Sequence, residues 1–253
     1  MVLTSQESAA GVTSARDTLR SFIGSAVHFP GSDTYKSVIA GFDTATVHRP
    51  AAVVVATTAA DVAAAVRLAG AVGFSVSVTC TGHGDEPAPS NSILIDTAGM
   101  NSVTIDHRNS TATVGAGARW QQVLAAAAPY GLAGPAGSYG FAADHVMSME
   151  VVTADGYLRR VDAVTESDLF WALLVGGGAL GIVTQMTFGL FPIEEIDGDG
   201  RFFDLSDSPA VLHPWCEWAQ EVPEKYLRLR AIRERYDPDK IFTRSARQGS
   251  TTC

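Results

Sequence analysis

Residues 52–84 read AVVVATTAADVAAAVRLAGAVGFSVSVTCTGHG, and they form the clearest unit in the chain. The apolar run at 52–56 has the pattern of a buried strand. Thr58 is a favoured helix N-cap residue, and Asp61, three positions on, supplies the acid of a capping-box-like start. Residues 59–71 then read as a helix that Gly73 stops, and residues 74–79 as the next strand. The unit is β-α-β and ends in the turn Thr81-Gly82-His83-Gly84. Small residues in such a turn let backbone N–H groups approach a phosphate or a ring closely.

Downstream the hydrophobic period shortens. Residues 92–96, 103–106 and 111–114 read as three short strands separated by turn chemistry. Gly115-Ala116-Gly117 is a second tight turn, opening a helix over 120–128 that Pro129-Tyr130-Gly131 ends. Residues 131–140, with four glycines and a proline, read as loop, and residues 132–135 as a poor strand. Residues 146–153 and 157–161 form a hairpin around Ala154-Asp155-Gly156. Residues 168–174 read as a short apolar helix with Ser167 as N-cap; Gly176-Gly177-Gly178 and a strand over 182–191 follow.

The flanks differ in character. Leu19, Phe22, Ile23 and Val27 recur at helical spacing until Pro30-Gly31, so residues 1–46 read as an N-terminal helix and a loop. Residues 194–200 are acidic and glycine-bearing, a linker pattern. Residues 201–205 read as a strand, Ser208-Pro209 opens a helix holding Trp215 and Trp218, and residues 225–235 form an amphipathic helix carrying Tyr226, Leu229 and Ile232.

The chain has 253 residues, 46% hydrophobic and 18% charged, which is globular composition for one large domain or two small ones. Its net charge of −9 and the lack of a Lys/Arg run argue against nucleic acid or an anionic membrane as partner. The first thirty residues include Arg16, Asp17 and Arg20 without an apolar signal region, so a cytoplasmic location is expected. Three cysteines at wide spacing suggest neither a disulfide framework nor a zinc site, and the six histidines form no metal motif.

His83 has two readings at this level: a solvated turn histidine, or a cofactor contact or covalent attachment point. A neutral imidazole is a competent nucleophile near pH 7. Ala136-Gly137-Ser138-Tyr139-Gly140 is close to a nucleophile elbow, which would make Ser138 the nucleophile of a hydrolase with His213 as its late histidine. The glycines at 176–181 lack the Lys-Ser/Thr pair of a P-loop and run helix-to-strand, the reverse of a dinucleotide fingerprint.

Several segments in order resemble the FAD-linked oxidases of the vanillyl-alcohol oxidase/p-cresol methylhydroxylase type, berberine-bridge-enzyme-like branch. They are His48-Arg49-Pro50-Ala51 leading into Val53-Val54-Val55, Ala59-Ala60-Asp61-Val62, Thr81-Gly82-His83-Gly84 and Ile95-Asp96-Thr97-Ala98-Gly99-Met100. Val114-Gly115-Ala116-Gly117 with Trp120, Val151-Val152-Thr153-Ala154-Asp155-Gly156, Asp168-Leu169-Phe170-Trp171-Ala172-Leu173 and Gly176 to Thr184 continue the match, and Tyr236-Asp237-Pro238-Asp239-Lys240-Ile241-Phe242 closes it.

The resemblance implies an α+β fold: a PCMH-type FAD-binding domain of two α+β subdomains over residues 47–193. Thr79, Cys80, Thr81, Gly82, His83 and Gly84 would wrap the pyrophosphate, and His83 would bond covalently to the flavin 8α carbon. The backbone of Gly181, Ile182 and Val183 would meet the adenine half. Ser138 and Asp144, on either side of the loop after Pro135, would approach the flavin. Residues 194–224 would be a remnant of the substrate domain, and residues 225–253 a C-terminal helix and tail packing on the FAD domain.

Four departures qualify the match. The loop before His83 is poorer in glycine than the family's. A long glycine-rich segment is absent between Ser138 and Tyr139. Residues 200–224 resemble the opening of the substrate domain and residues 225–242 the chain terminus, and the body of that domain between them, with its tyrosine or carboxylate base, is missing. Lys240 replaces asparagine. The resemblance therefore implies a shortened FAD-binding oxidoreductase, transferring hydride from an organic substrate to flavin with reoxidation by oxygen, or a non-catalytic flavin-binding or structural remnant. Self-association through an uncovered apolar sheet face is expected. No catalytic residue, metal ligand or substrate can be named from the sequence.

Overall fold

The structure, a computed structural model, describes residues 26–83, 86–135, 141–176, 180–193, 231–232, 234–239 and 241–242. The first half is a four-stranded sheet flanked by two helices. In chain order these are β1 (Val27–His28), α1 (Asp33–Ala40), β2 (Ala52–Val55), α2 (Ala59–Val72), β3 (Ser75–Thr79) and β4 (Ser92–Asp96). The sheet order is β1-β2-β4-β3, with β2 and β3 both parallel to β4 and β1 antiparallel to β2. Its central strands are buried on both faces, which is why they read as continuous apolar runs. Val54, Ile93 and Ile95 face Val62, Ala65, Val66 and Ala69 of α2. Val53 and Leu94 point the other way, toward Tyr35 of α1.

α2 starts on the capping box its sequence encodes. The Asp61 N–H donates to the Thr58 hydroxyl at 3.2 Å, and the Thr58 N–H donates to the Asp61 carboxylate at 2.9 Å. Gly73, at φ +70°, ends it in the left-handed conformation.

The second half is a five-stranded antiparallel sheet of order β5-β6-β10-β8-β9. Its elements are β5 (Val103–Asp106), β6 (Thr111–Gly115), α3 (Trp120–Ala127), β7 (Leu132–Ala133), β8 (Val146–Val152), β9 (Leu158–Asp162), α4 (Ser167–Gly176) and β10 (Ile182–Gly189). A last strand, β11 (Phe191–Pro192), pairs with β7. α3 and α4 share one face of this sheet. α3 covers Ala112 and Phe188, and α4 covers Met149, Val151 and Val161. Val152 and Ile182 face away from them and join the core of the first sheet. Arg67 of α2 strengthens the junction, donating to the Gly156 carbonyl at 2.7 Å. The architecture is the expected α+β arrangement of two sheets, one mixed and one antiparallel.

Local expectations shift in four places. Val27 lies on β1, paired with Val54, rather than on a helix; the other residues of that expected helix lie outside the described residues. α1 has too few periodic apolar residues to stand out in sequence; the Ser32 hydroxyl caps it by accepting from the Tyr35 N–H at 3.2 Å. Residues 132–133 form a strand because β11 supplies partners that local sequence does not reveal. Ser167 is the first residue of α4 instead of its cap, and Glu166 precedes it at φ +50°.

The C-terminal segment packs on both halves. Ile232 and Tyr236 join the α4 cluster. Phe242 enters the α2 core and bridges Val76 of β3 in parallel register.

Candidate functional site: the seam between the two sheets

The parallel strands β2, β3 and β4 end on the same edge of the first sheet, a common place for a ligand in α/β sheets. β3 leaves that edge through Cys80, Thr81, Gly82 and His83. The Thr79 carbonyl, at the root of the turn, accepts from the Thr97 N–H at 3.0 Å and from the Thr97 hydroxyl at 3.2 Å.

Gly82 must be glycine. It sits at φ +71°, and a Cβ there would lie 2.5 Å from the Phe42 nitrogen and 2.7 Å from the Gly41 Cα. Its carbonyl accepts the Asp43 N–H at 3.1 Å, which pins the 41–46 loop to the turn. His83 is exposed. Its imidazole stacks on the Phe42 ring at 4.0 Å between centroids and 14° between planes, and its Nδ1 lies 3.0 Å from the Thr81 hydroxyl oxygen. The N–H groups of Thr81, Gly82 and His83 meet no acceptor among the described residues. Successive backbone N–H groups left without acceptors in a turn are able to bind an anion. Cys80 is half-buried. Gly84 lies outside the described residues.

A continuous line of backbone contacts leads from this turn to the second glycine segment. Gly117 comes so close to the 97–100 turn that a Cβ would stand 2.4 Å from the Thr97 carbonyl oxygen. Its N–H donates to the Met100 carbonyl at 2.9 Å. The neighbouring Ala116 N–H donates to the Thr184 carbonyl of β10 at 3.1 Å. At the start of that strand, a Cβ on Gly181 would fall 2.6 Å from the Val151 side chain and 2.8 Å from the Val152 oxygen. Ile182 is a core residue, and Val183 is half-buried against the α4 cluster. Their side chains pack, which leaves their backbone as the part able to meet a ligand.

Asp144 is exposed on a single turn of 3-10 helix, Ala142–His145, on the α3–α4 side of the second sheet. Ala142 and Ala143 of that turn line an apolar cavity of about 260 Å³ with Trp120, Met149, Leu174 and Phe188. Ser138 lies outside the described residues; β7 ends at Ala133, short of the strand-to-nucleophile junction an elbow needs.

Sequence reasoning missed Phe42, Asp43 and Asp96 as parts of the site. Phe42 is forty-one positions from His83, and nothing local links them. Asp96 ends β4, where burial pushes its carboxyl above the usual range despite an N–H from Ala98. Among the described residues, no cluster of three or more His, Cys, Asp or Glu side chains could hold a metal, and no helix is long and apolar enough to cross a membrane.

Residues 50–138 match the model of the FAD binding domain family. An FAD-dependent monooxygenase of Fusarium proliferatum is 30% identical over 208 residues, covering 72% of this chain and 40% of the relative. (R)-6-hydroxynicotine oxidase of Paenarthrobacter nicotinovorans is 27% identical over 190 residues, 66% of this chain and 42% of the relative. Among solved structures, xylooligosaccharide oxidase from Myceliophthora thermophila superposes with a TM-score of 0.64 at 26% identity, covering 70% of this chain and 43% of that one. The chain thus spans about two fifths of the length of the relatives it matches.

Residues 50–138 are an FAD binding domain, and the chain is similar to FAD-linked oxidases over part of their length and carries their PCMH-type FAD-binding fold. Its cofactor is FAD, and the uncommitted N–H groups of the His83 turn fit a diphosphate.

Proposed function

We propose that this chain binds FAD along the seam, with the pyrophosphate on the turn at residues 79–84 and the adenine half against the backbone at 181–183. His83 anchors the flavin covalently through its 8α carbon. The observation that carries this reading is the turn itself: three N–H groups that meet no acceptor among the described residues, next to an exposed imidazole, where parallel strands end. FAD supplies hydride acceptance from an organic substrate and reoxidation by dioxygen. The chain contributes a shaped turn, a fixed imidazole and a rigid junction between two sheets.

A second reading, a flavin-binding module without turnover, draws support from the cavity beside Asp144. The described residues lining it carry neither acid nor base, whereas controlled hydride transfer needs a positioned proton acceptor.

The visible spectrum of the purified chain, before and after acid precipitation, tests the proposal. Yellow colour retained in the precipitate and lost in His83→Ala is the expected result. A colourless protein that takes up no added FAD would refute it. Loss of flavin absorbance on anaerobic incubation with amine, alcohol or sugar donors then separates an oxidoreductase from a non-catalytic module.

A further inference from the structure

The apolar cavity of about 260 Å³ draws its lining from three directions. Met149 of β8 and Met186 and Phe188 of β10 come from the sheet, Trp120 from α3, and Leu173 and Leu174 from α4. The Trp120 wall is held in place by its neighbours. Its indole stacks on Phe188 at 5.6 Å between centroids and 26° between planes. It also occupies the space beside Gly134, where a Cβ would fall 2.2 Å from the ring. These side chains do not bury one another fully: Leu173, Leu174 and Met186 are half-buried, and Trp120 is 46% exposed. Apolar surface around an open space is surface that a ligand can remove from water.

We propose that this cavity is a binding site for a small, uncharged aromatic molecule of one or two rings. Size sets the upper end: an apolar cavity of about 150 Å³ takes benzene, so this one has room for a second, fused ring. The lining sets the chemistry. Trp120 and Phe188 offer ring faces and edges, and the thioethers of Met149 and Met186 favour aromatic contacts. No charged side chain lines the cavity among the described residues, so a charged or many-hydroxyl ligand would lose its hydration without gaining partners. The lining includes none of the residues assigned to FAD, so the site stands whether or not flavin binds.

The full chain, 13C-labelled at its methionine methyls and titrated with naphthalene, tests this by NMR. The expected result is saturable movement of the Met149 and Met186 methyls, while the Met100 methyl in the α2 core stays still. Ala143→Leu, which fills the cavity from its edge, should weaken binding about tenfold with the urea midpoint held or raised. Trp120→Ala, at an exposed position, gives the same readout should Ala143→Leu fail to fold. 2-Naphthoate, the same rings with a charge, should bind at least about tenfold more weakly than naphthalene. No saturable movement up to the solubility limit of naphthalene overturns the proposal, as does unchanged affinity in the folded variants or equal affinity for naphthoate. Movement of the two methyls with protein concentration alone would put a second copy of the chain in the cavity and overturn it likewise.

Discussion

Gly82 and Gly73 share a left-handed backbone, at φ +71° and +70°, yet differ in their surroundings. A Cβ on Gly73 meets nothing within 4 Å, so Gly73→Ala carries only the conformational cost, about 1 kcal/mol. A Cβ on Gly82 collides with backbone of residues 41 and 42, which must move, so Gly82→Ala should cost about 3 kcal/mol and release the His83–Phe42 stack. Urea denaturation of the two variants checks the contrast; equal losses would mean that the Gly41–Gly82 contact is dispensable. The turn's glycine was legible in sequence. The collision that makes it obligatory was not, because its partner is brought in by a loop forty residues away.

At the scale of elements, α2 and the C-terminal segment respond to opposite ends of the pH range. Burial pushes the Asp61 carboxyl up, but N–H and hydroxyl donors of Thr57 and Thr58 together outweigh it and hold the group below its ordinary value of 3.8. A carboxyl depressed on folding adds stability above its unfolded pKa and loses that contribution as pH falls through the folded value. Asp61→Asn should therefore flatten the fall in urea midpoint below about pH 4, and Thr58→Ala should lose about 1 kcal/mol at neutral pH.

Tyr236 behaves in the reverse sense. Burial raises its hydroxyl above the ordinary value of 10.0, and the hydrogen bond it donates to Glu166, with that carboxylate's charge, raises it further. Its contribution is whole below pH 10 and is lost as pH rises through the folded pKa. Tyr236→Phe should lose about 1–2 kcal/mol near neutrality and abolish the alkaline part of the stability profile. A variant with the same alkaline slope would show that the Tyr236–Glu166 bond does not hold the segment. The capping box could be read from Thr58 and Asp61 because its partners are three residues apart. The Tyr236–Glu166 bond spans seventy positions and left no local trace.

For the molecule as a whole, the decisive feature is that one core serves both sheets. Ile182 and Val152 of the antiparallel sheet are buried with Val54, Ile93, Ile95 and the inner face of α2. Ile182→Ala should cost about 3 kcal/mol, and it should destabilise both sheets together. The test is coincidence of the far-ultraviolet circular dichroism and tryptophan fluorescence transitions, in the parent and in the variant. Two separated transitions would show that the sheets are independent units and that the seam is a mere contact.

The sequence alone determined what depends on near neighbours. The alternation and length of the apolar runs marked β2, α2, β4, β5 and β6 to within a residue or so, and turn chemistry marked Gly73, Gly82 and Gly117. The ordered motifs over residues 48–192 carried the resemblance to FAD-linked oxidases, and the family match at 50–138 agrees with it. Only the tertiary structure decided which segments meet. It gave residues 132–133 a strand partner and set Val27 on a sheet edge. It also put Phe42 on His83 and joined Gly117 to Thr97. The reason is physical: periodicity and capping act over a few residues, whereas strand order, ring stacking and close backbone approach are settled when distant segments bury one another.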